Sequence, residues 1–159
     1  MTQSTPPLER RLTYRISRIH GRLNAHAARL LSEAADISLS QWRILVMMDT
    51  EPGITASEIV RQTKIDKAMV SRAIKKLAED GLITVDVSDA DQRQHVLQFT
   101  PRGRTSYERA WPHMIGRQNT LIAAITQDEH DQFLDTLDKL EDALRALERD
   151  GLAARTAAQ

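Results

Sequence analysis

Thr55-Ala56-Ser57-Glu58-Ile59-Val60-Arg61-Gln62-Thr63-Lys64-Ile65-Asp66-Lys67-Ala68-Met69-Val70-Ser71-Arg72-Ala73-Ile74-Lys75-Lys76-Leu77-Ala78-Glu79-Asp80-Gly81 is the stretch on which the fold turns. Thr55, with Glu58 three residues later, reads as a capping box that opens a short helix with Ile59 and Val60 facing the core. A break follows around Thr63 to Ile65. Asp66 is a good N-cap for a second helix, with Met69, Val70, Ala73, Ile74 and Leu77 inside. Gly81 stands where a C′ glycine ends such a helix.

Two short helices joined by a tight turn suit helix-turn-helix recognition, because the second can enter the major groove of duplex DNA. From Arg61 to Lys76 the basic residues are Arg61, Lys64, Lys67, Arg72, Lys75 and Lys76, against Asp66 alone. Lys67, Ala68 and Met69 open the second helix, and residues at that end meet base edges. Arg72 can offer a bidentate pair to guanine, worth roughly 1–3 kcal/mol of discrimination. Ser71 and the helix N-terminus can hold phosphates, while Lys67 and Lys75 supply charge to the DNA backbone. The competing reading of this helix is an ordinary solvated amphipathic one.

Working outward, the period changes after Gly81. Leu82 to Val87 is rich in β-branched residues and His95 to Thr100 is a second strand candidate, so the pair reads as an antiparallel hairpin with a polar tip, Ser88 to Gln94. The tip carries Asp89, Asp91 and Arg93. Asp91 can pair with Arg93 and direct it into a narrow minor groove. Pro101 and Gly103 mark a turn into a helix from about Arg104 to Ala124, which Pro112 should kink or break. Thr126 with Glu129 is a third capping box. The last helix carries Phe133, Leu134, Leu137, Leu140, Leu144 and Leu147 as an amphipathic stripe, and the chain frays from Gly151.

On the upstream side, a helix from Pro7 to about Ala35 carries Leu12, Ile16, Ile19, Leu23 and Leu30 at helical spacing. Arg11, Arg15, Arg18 and Arg22 form another stripe that reads as a solvated face. Ser38 to Gln41 is a capping box before the apolar helix Trp42 to Met48, which ends ahead of Glu51-Pro52-Gly53. The fold class is therefore mainly α with a small β-hairpin wing. Its lobes are an N-terminal dimerisation helix at 7–36, a winged helix-turn-helix at 37–101, C-terminal dimerisation helices at 102–150 and a flexible tail at 151–159. The apolar stripes of the first and last helices lack intramolecular cover and point to a homodimer.

Composition limits the alternatives. The 159 residues are 41% hydrophobic and 28% charged, with no cysteine, which excludes disulfides and cysteine redox sensing. The N-terminus has no signal-peptide core and no apolar run spans a membrane, so the expected location is cytoplasmic. Lysine plus arginine, 22, equals aspartate plus glutamate, 22. That zero balance alone argues against nucleic-acid binding, but it hides a basic centre and an acidic stretch after Thr126. The five histidines show no His-x-x-x-His spacing, so no metal site is expected. No cofactor motif and no catalytic constellation stands out, which points away from an enzyme.

Ser38-Leu39-Ser40-Gln41-Trp42-Arg43-Ile44-Leu45, Asp66 to Ala73, Leu77 to Ile83, Asp91-Gln92-Arg93 and Phe99 to Gly103, in that order and spacing, resemble the MarR family of bacterial regulators. The resemblance covers about Leu8 to Leu147. It implies a dimer with interleaved first and last helices, binding a pseudo-palindromic operator that a small anionic or phenolic ligand often releases. It puts the recognition positions on Lys67, Ala68, Met69, Ser71, Arg72 and Lys75, and the wing arginine on Arg93, supported by Asp91. Gln92 replaces a second arginine common in the family, and Val85 and Asp86 stand where basic residues are often found, which should weaken the wing's phosphate contacts. The implied ligand pocket lies between the dimerisation helices and the winged lobe. His20, Trp42, Arg43 and Tyr107 are candidates for its lining, with an organic acid as effector; for Trp42 and Tyr107 the alternative is a simple core role. The competing function is a winged-helix protein-interaction module without specific DNA binding, favoured by the neutral charge and Asp86.

Overall fold

A computed structural model describes residues 7–63, 66–87 and 95–156, with the backbone alone for Val87 and residues 151–156. After a 3₁₀ turn, Leu8–Arg10, come α1 (Leu12–Ala35), α2 (Leu39–Thr50), α3 (Ala56–Thr63), α4 (Lys67–Glu79), β1 (Ile83–Val87), β2 (His95–Phe99), α5 (Pro101–Ile122) and α6 (Gln127–Thr156). The chain divides into two compact units, Met1–Ile115 and Gly116–Gln159.

Local chemistry sets most boundaries of the first unit. The Ser38 hydroxyl accepts the Gln41 backbone N–H at 3.2 Å and the Gln41 side chain accepts the Ser38 N–H at 2.8 Å, closing the expected box at the head of α2. Thr55 and Glu58 repeat the arrangement before α3. Asp66 caps α4 by accepting the Met69 N–H at 3.0 Å. At the far end of α4, Gly81 has φ +68°. The Gly81 N–H reaches the Ala78 carbonyl and the Leu82 N–H reaches the Leu77 carbonyl, a Schellman ending that needs the left-handed residue.

β1 and β2 pair antiparallel, with Ile83 opposite Phe99 and Val87 opposite His95. A bridge from Thr55 to Val96, with the Leu97 N–H on the Ile54 carbonyl, brings the residues before α3 to the other edge of β2. The core draws Leu31, Leu45, Ile54, Ile59, Leu77 and Leu97 together, all at 1–2% exposure or less.

The structure differs from the sequence reading at several places. The first helix does not run from Pro7: the 3₁₀ turn and an extended Arg11 precede α1. Pro101 and Gly103 do not form a turn ahead of a helix at Arg104; they lie in the first turn of α5. Thr100 caps that turn by accepting the Gly103 N–H at 3.0 Å, and Pro101 occupies the first helical position, where no N–H is needed. A Cβ at Gly103 would stand 1.8 Å from the Leu82 carbonyl oxygen, so glycine is required there by close approach to another segment. α5 is continuous through Pro112. Met69 is 41% exposed rather than inside, because it sits at the edge of the buried stripe.

The second unit holds the end of α5, a turn and α6. Thr126 and Glu129 form the predicted capping box. α6 continues to Thr156, past Gly151 where fraying was expected.

Candidate nucleic-acid interface

α4 divides cleanly between its faces. Val70, Ala73, Ile74 and Leu77 are buried. Lys67, Ala68, Met69, Ser71, Arg72 and Lys75 are all exposed, so six of the predicted contact residues lie on the outward side of one helix. The spacing explains this: the buried four repeat at three and four residues, and the exposed set fills the remaining arc. Lys64, Asp91 and Arg93, the other predicted contacts, lie outside the described residues.

The charges on this face are available in different degrees. Among the described residues neither Lys67 nor Arg72 has an ion-pair partner. Lys75 lies 3.8 Å from Glu79 on the same helix, with its side chain 78% exposed, a pair that water screens heavily. Lys76 is committed: its Nζ donates to Asp80 at 2.7 Å, which raises the lysine's pKa and, as the largest effect, lowers that of Asp80. The opening turn of α4 carries the positive end of the helix dipole, with its Met69 N–H already taken by the Asp66 cap. The wing strand is less basic, as expected. Asp86 is exposed and accepts a hydrogen bond from Thr84 at 2.8 Å.

Sequence reading missed the supports behind α4. Gln41, buried in α2, donates from Nε2 to Asp80 Oδ2 at 3.2 Å. The Thr100 hydroxyl donates to the Gly81 carbonyl at 2.7 Å. Neither contact leaves a short-range signal, since each joins segments distant in the chain.

The four residues suggested for a ligand pocket separate into two pairs. Trp42 and Tyr107 enter the core, stacked with ring centroids 5.2 Å apart, and Trp111 and Phe99 pack around Tyr107. The Tyr107 hydroxyl donates to Asp49 at 2.9 Å, and burial is the main cause that raises its pKa. Asp49 also accepts from Arg104, the chief cause of its lowered pKa, and the Arg104 guanidinium lies 4.1 Å from the Phe99 ring centre. His20 and Arg43 meet elsewhere, through Asn24. Arg43 can only donate, so Asn24 Oδ1 accepts it at 3.2 Å. The amide Nδ2 then faces His20 Nε2 at 3.0 Å, which leaves the ring nitrogen as acceptor. Among the described residues no carboxylate pairs with Arg43. Nor does any group of three or more His, Cys, Asp or Glu there suit a metal ion. No helix among them is long and apolar enough to cross a membrane.

A hairpin set beside a helix-turn-helix whose second helix has a basic outward face defines a winged helix-turn-helix protein. The sequence signature of the MarR family matches residues 35–94. The HTH-type transcriptional regulator TcaR of Staphylococcus aureus (strain Newman) is 33% identical over 111 residues, 67% of this chain and 68% of the relative. Among solved structures, a MarR/EmrR family transcriptional regulator from Acinetobacter sp. ADP1 superposes with a TM-score of 0.78 at 26% identity, covering 88% of this chain and 99% of that one. Staphylococcus aureus MepR, solved with DNA, has the same fold, with a TM-score of 0.78 at 21% identity over 86% of this chain and 98% of that one. The chain belongs to the MarR family, and its relatives are transcriptional regulators rather than enzymes.

Proposed function

We propose that the protein binds a pseudo-palindromic duplex as a homodimer, through the exposed face of α4, and represses transcription until a small organic acid releases it. The observation that carries the reading is the outward face from Lys67 to Lys75, where Lys67 and Arg72 have no ion-pair partner among the described residues. Charged groups on an exposed helix face can meet phosphates and base edges directly. The fold is shared with MepR, a protein solved on DNA. Lys64, Arg93 and Asp91 complete the contact set in this reading, and the protein works in the cytoplasm, where the DNA lies.

The dimer follows from uncovered apolar surface. Leu12, Ile16 and Ile19 on α1 are 40–56% exposed, and Phe133, Leu134, Leu144 and Leu147 on α6 are 47–67% exposed. A second copy would cover them, and twofold symmetry would set two α4 helices about 34 Å apart, one DNA turn. Light scattering should give a dimer mass at micromolar concentration; a monomer mass refutes this part.

The effector reading rests on Arg43. A half-buried guanidinium held by an amide, with no carboxylate partner among the described residues, suits a ligand carboxylate that pairs with it bidentately. Calorimetry with aromatic carboxylates should find binding that Arg43→Ala removes and that lowers DNA affinity. Binders without effect on DNA affinity contradict it.

The DNA reading is tested by selecting bound fragments from the source genome and measuring affinity for them. Arg72→Ala should lose about 1–3 kcal/mol of preference for the selected duplex over an unrelated one. Preference unchanged by Arg72→Ala removes its role as a base reader. A protein that selects no duplex is the interaction module instead.

A further inference from the structure

The last turn of α4 is held by a group outside its own helix. Gln41 is 6% exposed, and both ends of its amide are used. Oε1 accepts the Ser38 N–H at 2.8 Å, closing the cap of α2. Nε2 donates at 3.2 Å to Oδ2 of Asp80, the residue that ends α4, while the other carboxylate oxygen accepts from Lys76 at 2.7 Å. One buried side chain therefore ties the first turn of α2 to the last turn of α4. Apolar packing between the two helices is non-directional and tolerates small rotations. A hydrogen bond is directional, and a stranded buried donor is costly.

We propose that Gln41 is a positioning residue for DNA recognition: through Asp80 its amide fixes the direction in which α4 presents Lys67, Ser71 and Arg72. The inference rests on α4 being the helix that contacts DNA; Gln41 itself is buried and touches none. Leverage makes the position matter. α4 is about 20 Å long at 1.5 Å per residue, so a tilt of about 5° at its anchored end moves the opening turn by about 1.7 Å. That displacement exceeds the tolerance of a bidentate contact to a base but hardly changes the charge offered to phosphates. Loss of the anchor should therefore erase selectivity and spare nonspecific binding.

The test uses the full-length protein, the duplex selected by the wild type and an unrelated duplex of equal length. Gln41→Glu keeps the acceptor for the Ser38 N–H but faces Asp80 with a second carboxylate, in a setting where Lys76 and Arg102 also act on Asp80. The expected result near pH 8 is about a tenfold loss of affinity for the selected duplex, the worth of one bidentate base contact. Affinity for the unrelated duplex and the molecular mass should stay unchanged. Lowering the pH until the two facing carboxyl groups share a proton restores a donor between them and recovers selectivity relative to wild type over the same range. Asp80→Ala removes the acceptor at a more exposed position and should lose the same selectivity without recovery at low pH; it decides the matter if Gln41→Glu does not fold. Wild-type selectivity in Asp80→Ala, or parallel weakening on both duplexes, overturns the inference while DNA binding stands. If the wild type selects no duplex, it is the DNA reading that fails.

Discussion

The two units of the chain treat their apolar residues in opposite ways. In Met1–Ile115 the side chains of seven elements, α1 to α5 with β1 and β2, converge, and Leu31, Leu45 and Leu77 are fully buried. In Gly116–Gln159 no described residue is buried, although α6 carries apolar residues at helical spacing as α4 does. Leu144 is 58% exposed and Leu147 67%. The contrast teaches that amphipathic spacing alone does not make a core. α4 has α2 and α3 to pack on, whereas the apolar residues of α6 stay exposed within their own unit.

The largest expected effects lie in the first unit. Leu45→Ala should cost about 3 kcal/mol in urea unfolding, whatever the protein concentration, because the cavity opens inside a closed core. Gly103→Ala should cost a similar amount, about 3 kcal/mol, since its methyl group must displace the Leu82 carbonyl. In the second unit Leu147→Ala should cost about 2 kcal/mol of association, seen as a melting temperature that falls on dilution more steeply than in wild type. Equal, concentration-independent losses in Leu45→Ala and Leu147→Ala would mean that the two units do not differ as described.

The smallest effect is electrostatic. Arg104 holds the pKa of Asp49 below its ordinary value of 3.8, so the native state binds the proton less readily than the unfolded chain. That contribution is present above about pH 4 and is lost as pH falls through the lowered native value. Stability of Asp49→Asn should therefore lie below wild type at pH 7 and approach it in acid. A gap independent of pH would assign the Asp49 contact to packing instead.

Features that depend on a few neighbouring residues were legible in the sequence. Ser38–Gln41, Thr55–Glu58, Asp66, Gly81 and Thr126–Glu129 each satisfy backbone groups within one turn, and the structure places each as read. The outward face of α4 was legible because its buried partners repeat at helical spacing. Pro101 and Gly103 were misread because proline and glycine usually punctuate loops. Here one suits a first helical turn and the other makes room for a carbonyl twenty-one residues earlier in the chain. The separation of Trp42 and Tyr107 from His20 and Arg43 depends on which way each side chain turns in the packed unit, and spacing carries no such signal. The Gln41–Asp80 bond is likewise a product of tertiary packing.

The most direct test of DNA binding through a paired α4 is the salt dependence of affinity for the selected duplex, in wild type and Lys67→Ala. Counterion release predicts a steep fall in affinity with rising salt, about 0.9 units of logarithmic slope for each phosphate neutralised. Lys67→Ala should flatten that slope by about two units, one for each subunit of a dimer. A slope that is shallow in the wild type, or unchanged by Lys67→Ala, would contradict the account.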